Sequence, residues 1–256
     1  MSRPEPRTIL ITGATGAIGG ALARNYAEPG VVLVLHGRNP LELEQIRLAC
    51  TDRGAEVITH QGDLTEVAAA RTWLEQLCTE RPLDLVVLNA GMNIHTGPNG
   101  EPEDWSDAQR LITLNLMSVM ALADVAIRHM QPRGTGQIAL VSSLAGYFGL
   151  PVTPAYCASK AGLKAYGEAL RGWLGPMGIQ VNVIMPGYVS SPMCAEMPGP
   201  KPFEIDPDSA ARRIRQGLRH NRARISFPFP LNLGTWFLAA LPAGLSGWIV
   251  QRMGYR

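Results

Sequence analysis

The chain of 256 residues is short of cysteine, of charge and, in its last fifth, of acid. Its four cysteines, Cys50, Cys78, Cys157 and Cys194, stand apart. None forms a CxxC pair or joins a histidine cluster, which argues against a metal site and a disulfide framework. Reduced thiols in a cytoplasmic protein are the expectation. Charged residues make up 17%, below the roughly 25% of an average soluble domain. More apolar surface than usual must therefore be buried or used. The net charge of +2 gives no sign of a nucleic-acid partner. There is no internal repeat and no low-complexity linker. No apolar leader precedes the first strand-like segment, so no signal peptide is expected.

Acidic residues stop at Asp208, whereas eight arginines follow it, so that this segment carries +8. Two readings stay open. The arginines of "DPDSAARRIRQGLRHNRAR" form a solvated helix, or they face anions or lipid headgroups. Beyond them, Ile225 to Gln251 contains no charge. Pro228, Pro230 and Pro242 divide this run. Its longest proline-free pieces, Leu231–Leu241 and Ala243–Met253, each reach about 16 Å as helix, about half a hydrocarbon core. The prolines argue against a simple transmembrane span. The remaining expectations are a hairpin dipping into one leaflet, a roof over the substrate cleft, or a subunit contact.

What is present upstream is regular. Segments at Thr8–Thr12, Val31–Leu35, Glu56–His60, Leu83–Leu88, Gln137–Ser142 and Gln180–Ile184, several of them runs of Val, Ile and Leu, read as strands. Helical patterns at Gly16–Ala27, Leu41–Arg53, Thr65–Glu80, Glu103–Met130 and Ala155–Leu174 separate them. Strands without alternation are buried on both faces. The expected fold is α/β: a Rossmann-like, doubly wound parallel β-sheet with helices on both faces. It forms a single domain with an apolar helical C-terminal tail. Residues 1–193 carry the nucleotide and catalytic part, and residues 194–256 the substrate-specificity region and extension packed on it.

The first strand runs into "TGATGAIGG". Gly13 permits a tight turn, Gly16 lets the backbone approach a phosphate, and Gly19 lets the helix pack close. The helix N-terminus then faces a pyrophosphate. The second strand ends in "LVLHGRN", with no carboxylate for a ribose 2′-hydroxyl. Arg38 instead suits a 2′-phosphate, favouring NADP(H). Further on, "YCASK" puts Tyr156 and Lys160 on one helical face. A nearby ammonium, together with an oxidised nicotinamide, would bring the phenol down from about 10 toward the working range.

Together these motifs resemble the classical short-chain dehydrogenase/reductase family, from about Thr8 to Met193. The resemblance implies a cofactor loop at Gly13, Thr15, Gly16, Ala17 and Ile18. It also implies cofactor contacts at Arg38 and Asn39, at Asp63 and Leu64 ("GDLT"), and at Asn89, Ala90 and Gly91 ("LNAG"). Pro186, Gly187 and Val189 ("MPGYV") would hold the nicotinamide. Asn115, Ser143, Tyr156 and Lys160 would be catalytic, with Tyr156 and Lys160 also touching cofactor. Ser143 is chosen over Ser142 because it lies thirteen residues before Tyr156. The implied activity is an NADP(H)-dependent oxidoreductase interconverting a carbonyl and a secondary alcohol, on a lipophilic acyl, sphingoid or steroid-like substrate. A homodimer or homotetramer is implied. Peripheral membrane contact through 212–251, at the inner face of a membrane, stays open.

Two departures accompany the resemblance. The glycine spacing is closer to the family's extended branch, which includes epimerases, and this keeps an epimerase-like reading without net redox in view. A non-catalytic NADP-binding regulator is the other alternative. No final "DGG"-like strand sequence is present, so the sheet is expected to lack its closing strand. Of the smaller features, His95 reads as a surface-loop residue, Trp105, Trp173 and Met177 as packing, and Cys157 as redox-silent.

Overall fold

A computed structural model describes residues 5–255. The elements run β1 (Thr8–Thr12), α1 (Ala17–Tyr26), β2 (Val32–Gly37), α2 (Pro40–Thr51), β3 (Glu56–Gln61), α3 (Val67–Glu80) and β4 (Leu85–Leu88). The chain continues through α4 (Trp105–Ile112), α5 (Ser118–Met130), β5 (Gly136–Val141), α6 (Pro154–Leu174) and β6 (Ile179–Pro186). The last part comprises α7 (Pro192–Glu196), α8 (Pro207–Arg219), β7 (Arg224–Phe227), α9 (Leu231–Ala240) and α10 (Ala243–Arg252).

The strands form one parallel sheet in the order β3-β2-β1-β4-β5-β6-β7. Successive residues of β1 explain why its sequence does not alternate. Ile9 and Ile11 enter the core beneath α1 and α8, while Leu10 enters the opposite core beneath α3, α5 and α6. Both faces are covered, so the three central positions, Ile9, Leu10 and Ile11, are all apolar. Local signals set the helix starts. Asn39 accepts from the Leu41 and Glu42 amides, Asp104 from those of Ser106 and Asp107, and Asp206 from that of Ser209. The sheet reverses its winding between β1 and β4, which opens a crevice at their carboxyl ends.

Four expectations change. The sheet has a seventh strand: β7, "RISF", pairs in parallel with β6 from Val183↔Arg224 to Pro186↔Phe227. It is short and ends directly at Pro228, so it reads as part of the apolar tail. The long helix at Glu103–Met130 begins at Trp105 and widens into a π turn at Thr113–Met117. The arginines of α8 form a free basic face only in part, with Arg212 and Arg213 exposed and the other two paired. Arg215 pairs with Glu28 at 3.0 Å and Glu5 at 3.4 Å and stacks on the Tyr26 ring, and Arg219 reaches Glu5 at 3.6 Å. These contacts tie α8 to α1. Finally, Trp105, Trp173 and Met177 are exposed rather than packed.

Candidate active site

The crevice begins where β1 ends. Gly13 adopts φ +64°, and a Cβ there would come within 2.8 Å of the Ala90 Cα. At Gly19 a Cβ would lie 2.2 Å from the Gly13 carbonyl oxygen, so α1 packs on the turn only because that residue is glycine. Thr12 and Asn89 lock the arrangement. The Thr12 hydroxyl accepts from the amides of Asn89 (2.9 Å) and Ala90 (3.1 Å). The Asn89 side-chain amide donates to the Thr12 and Gly13 carbonyls at 3.0 and 3.1 Å. Sequence reasoning passed over Thr12. A buried hydroxyl closing an apolar strand, just before the glycines, was the available signal. Gly16 caps α1 without a side-chain hydrogen bond, leaving that helix N-terminus to an external anion.

One cavity of about 510 Å³ extends from this turn. Gly13, Thr15, Gly16, Ala17, Ile18, Arg38, Leu64, Asn89, Ala90 and Gly91 line one end, and Ser143, Tyr156, Lys160, Pro186, Gly187 and Val189 the middle. Two predicted cofactor residues lie outside it. Asn39 spends its side chain capping α2. The Asp63 carboxylate takes the Thr65 amide and hydroxyl at 2.9 and 2.8 Å and meets Arg110 at 3.5 Å. Partial burial opposes its ionisation, but those hydrogen bonds, with Arg110 and Arg38, hold it below the usual carboxylate range. His36 and Glu42, which the sequence reading did not select, also line the nucleotide end. His95 is half-buried rather than on the surface, and is not among the lining residues.

The π turn carries Asn115, which is fully buried. Its Oδ1 accepts from the Met92 amide at 2.9 Å. Its Nδ2 donates to the Met92 carbonyl at 2.9 Å and to the Ser159 hydroxyl at 3.2 Å. A Cβ on Gly91 would lie 3.0 Å from Asn115 Oδ1 and 3.5 Å from Lys160 Nζ. Asn115 thus braces the strip of backbone that faces the lysine.

Lys160 is buried, donates from Nζ to the Val141 carbonyl at 2.9 Å, and sits 5.6 Å from the centre of the Tyr156 ring. The two adjacent serines diverge. Ser142 turns inward and donates to the Lys160 carbonyl at 2.7 Å. Ser143 accepts from the Ala145 amide at 3.1 Å, donates to the Pro186 carbonyl at 3.5 Å, and lies near enough to Tyr156 to favour its ionised form. Burial pushes the Tyr156 phenol up to about 12, opposed in part by Ser143. Burial also lowers Lys160 to about 8. The sequence reading expected the ammonium to bring the phenol down. From the protein groups alone, desolvation prevails.

The far end of the cavity is apolar and includes the tail. Leu231, Leu238, Val250 and Met253 face Phe148, Leu150 and Met197 across it. The arrangement aims two hydroxyls into a pocket, over a buried cation, beside a cradle for a dinucleotide.

Comparison with known proteins agrees with this geometry. The family model described as short chain dehydrogenase matches residues 7–200. A Myxococcus xanthus (strain DK1622) protein described as an uncharacterized oxidoreductase is 33% identical over 254 residues, covering 99% of this chain and 100% of that one. A 3-oxoacyl-acyl-carrier-protein reductase of Rickettsia felis is 32% identical over 188 residues, 73% of this chain and 74% of its own. Among solved structures, a short-chain dehydrogenase from Sphingobium yanoikuyae in complex with NADPH superposes with a TM-score of 0.80 at 26% identity. It covers 94% of this chain and 95% of its own.

Proposed function

The chain belongs to the short-chain dehydrogenase/reductase family and is an oxidoreductase, and from that premise we propose that it interconverts a lipophilic ketone and its secondary alcohol with NADP(H). The observation that carries this reading is the continuity of one cavity. It joins the glycine cradle and Arg38 to the Ser143–Tyr156–Lys160 cluster and then to an apolar end. The cradle fits a dinucleotide: the Gly13 and Gly19 positions leave no room for a side chain, and α1 offers an uncapped N-terminus. Arg38 lies exposed at the rim, with its guanidinium fork open to a 2′-phosphate. NADP(H), when bound, supplies or accepts the hydride.

The residues would divide the remaining work among them. Tyr156 delivers a proton to the substrate oxygen in reduction and withdraws it in oxidation. Ser143 donates a second hydrogen bond to that oxygen as charge develops on it. Lys160 steadies the negative form of Tyr156 and contacts the cofactor ribose. Asn115 is a positioning residue, acting through Met92 and Ser159. The test is cofactor oxidation, NADPH against NADH, with ketones of graded chain length. Turnover that favours NADPH and rises with apolar bulk supports the reading. Turnover confined to small polar carbonyls, or Tyr156→Phe at wild-type rate, would falsify it.

The two alternatives weaken against this. A regulator without catalysis would not need the tyrosine and lysine. The epimerase-like reading rests on glycine spacing alone, and the stretch after β6 adds only α7, α8, β7 and two short helices.

We also propose that the chain works in the cytoplasm as a homodimer or homotetramer and touches the inner face of a membrane through part of 212–251. Exposed Trp105, Met117 and Trp173, on α4, the π turn and α6, support subunit contact; a monomeric sedimentation mass would refute it. Leu233, Trp236 and Phe237 on α9, with Leu245 and Trp248 on α10, are exposed on a surface without acidic residues, which supports lipid contact. Arg252, stacked 5.0 Å over Trp248, adds a cation to that surface. Absence of the full chain from floated anionic vesicles would dismiss membrane contact.

A further inference from the structure

The end of the described chain turns back into the cavity. Tyr255 is buried, and its hydroxyl donates to the Pro200 carbonyl at 2.6 Å. The ring lies on Gly199, where φ is +88° and a Cβ would come 2.9 Å from Cδ1. The same hydroxyl touches that of Tyr188, the residue after Gly187 at the end of β6. Both tyrosines line the cavity.

Counting protons orders this pair. A phenol has one proton, and a carbonyl only accepts. Tyr255 therefore gives its proton to Pro200. The contact between the two hydroxyls must then be donated by Tyr188. The Tyr188 oxygen keeps lone pairs but has no proton left to offer. The apolar side chains packed with the pair are Phe148, Leu150, Val152, Met197, Leu238 and Val250, and the thiols of Cys194 and Cys157 lie within electrostatic reach of Tyr188. Burial and the pairing both raise the Tyr188 phenol, so it stays neutral. Tyr188, Tyr156 and Cys194 all line this cavity, which places the pair and the Tyr156 hydroxyl in the same pocket.

We propose that Tyr188, oriented by Tyr255, is a specificity-determining acceptor for a hydroxyl group carried by the substrate away from its reacting carbonyl. The substrate class is then a lipophilic ketone bearing a remote hydroxyl. This rests on the ketone–alcohol reading and narrows it. A mostly apolar wall that presents a proton-poor oxygen rewards a donor and gives nothing to an ether.

The test uses the full chain with NADPH and matched long-chain ketones. One member of each pair carries a hydroxyl, the other a methoxy group at the same carbon, and that carbon is moved along the chain. At the best position the wild type favours the hydroxyl ketone about tenfold in kcat/KM, the scale of one hydrogen bond. Tyr188→Phe brings the ratio toward one. Tyr255→Phe frees the Tyr188 proton, so the methoxy ketone gains and the ratio falls to one or below. Each ratio is internal to its variant, so a smaller folded fraction does not move it. A wild-type ratio of one at every position overturns the proposal while leaving the ketone reading intact. A preference that persists in Tyr188→Phe, or unchanged in Tyr255→Phe, overturns it too. No turnover of either ketone overturns both.

Discussion

Raising the pH should switch the site off through Lys160 before any other group of the cluster. Its ammonium is displaced from 10.5 to about 8 by burial. At about 1.4 kcal/mol per unit, holding that charge in its slot costs ~3 kcal/mol relative to water. The Val141 carbonyl at 2.9 Å returns part of this and is its only protein acceptor among the described residues. Tyr156, at about 12, stays protonated through the same range. Ketone reduction needs the phenol proton and the ammonium. Its kcat/KM should therefore be level below about pH 8 and fall close to tenfold per unit above it. Alcohol oxidation needs the phenolate and should rise with pH until the lysine is lost. Stability moves the other way. Between about 8 and 10.5 the unfolded chain holds a proton that the folded chain has released, so this lysine's contribution to stability rises with pH. The assay is NADPH-dependent reduction from pH 6 to 10 in buffers of constant ionic strength, with Lys160→Met beside the wild type. The variant should be slow and lack the alkaline limb. A wild-type profile level to pH 9.5, or the same limb in the variant, would refute the reasoning.

Packing sets three further outcomes. Gly19→Ala drives a Cβ to 2.2 Å from the Gly13 carbonyl oxygen; it should cost about 1–3 kcal/mol and weaken NADPH binding at least tenfold by fluorescence titration. Asn115→Ala strips partners from the Met92 amide and carbonyl. A loss of about 2 kcal/mol and a fall in kcat larger than any rise in KM for NADPH are expected, and unchanged kcat would remove Asn115 from the positioning role. Gly217→Leu pushes α8 into Ile225, whose side chain would lie 2.6 Å from the new Cβ. Displacement of β7 should lower Tm by roughly 5 °C, and an unaltered Tm would mean the strand is dispensable.

The sheet from β1 to β6 and the cluster around Tyr156 were legible because their signals are local and repeated. Buried strands must be apolar throughout, and glycines cannot be replaced where backbones touch. The failures share a cause: they depend on what lies opposite. "RISF" is a strand only because Val183–Pro186 offers it an edge. The arginines of α8 read as a free cationic face until Glu5 and Glu28 are seen across from Arg215. Trp105 and Trp173 lie at helical positions but stay largely exposed among the described residues. Tyr255 lies 67 positions from Tyr188, a pairing that no motif announces.

Because β7 completes the sheet before α9 begins, the groups that react and the wall formed by the tail helices occupy separate stretches of the gene. The described residues through Phe227 build the scaffold, the cradle and the Ser143–Tyr156–Lys160 cluster. Beyond it stands a pair of ten-residue helices broken at Pro242. Splicing that stretch from one relative onto another would exchange much of the pocket lining in a single crossover. Variation among such chains could then alter diet without disturbing chemistry, and a library of grafted tails is a direct route to new substrates.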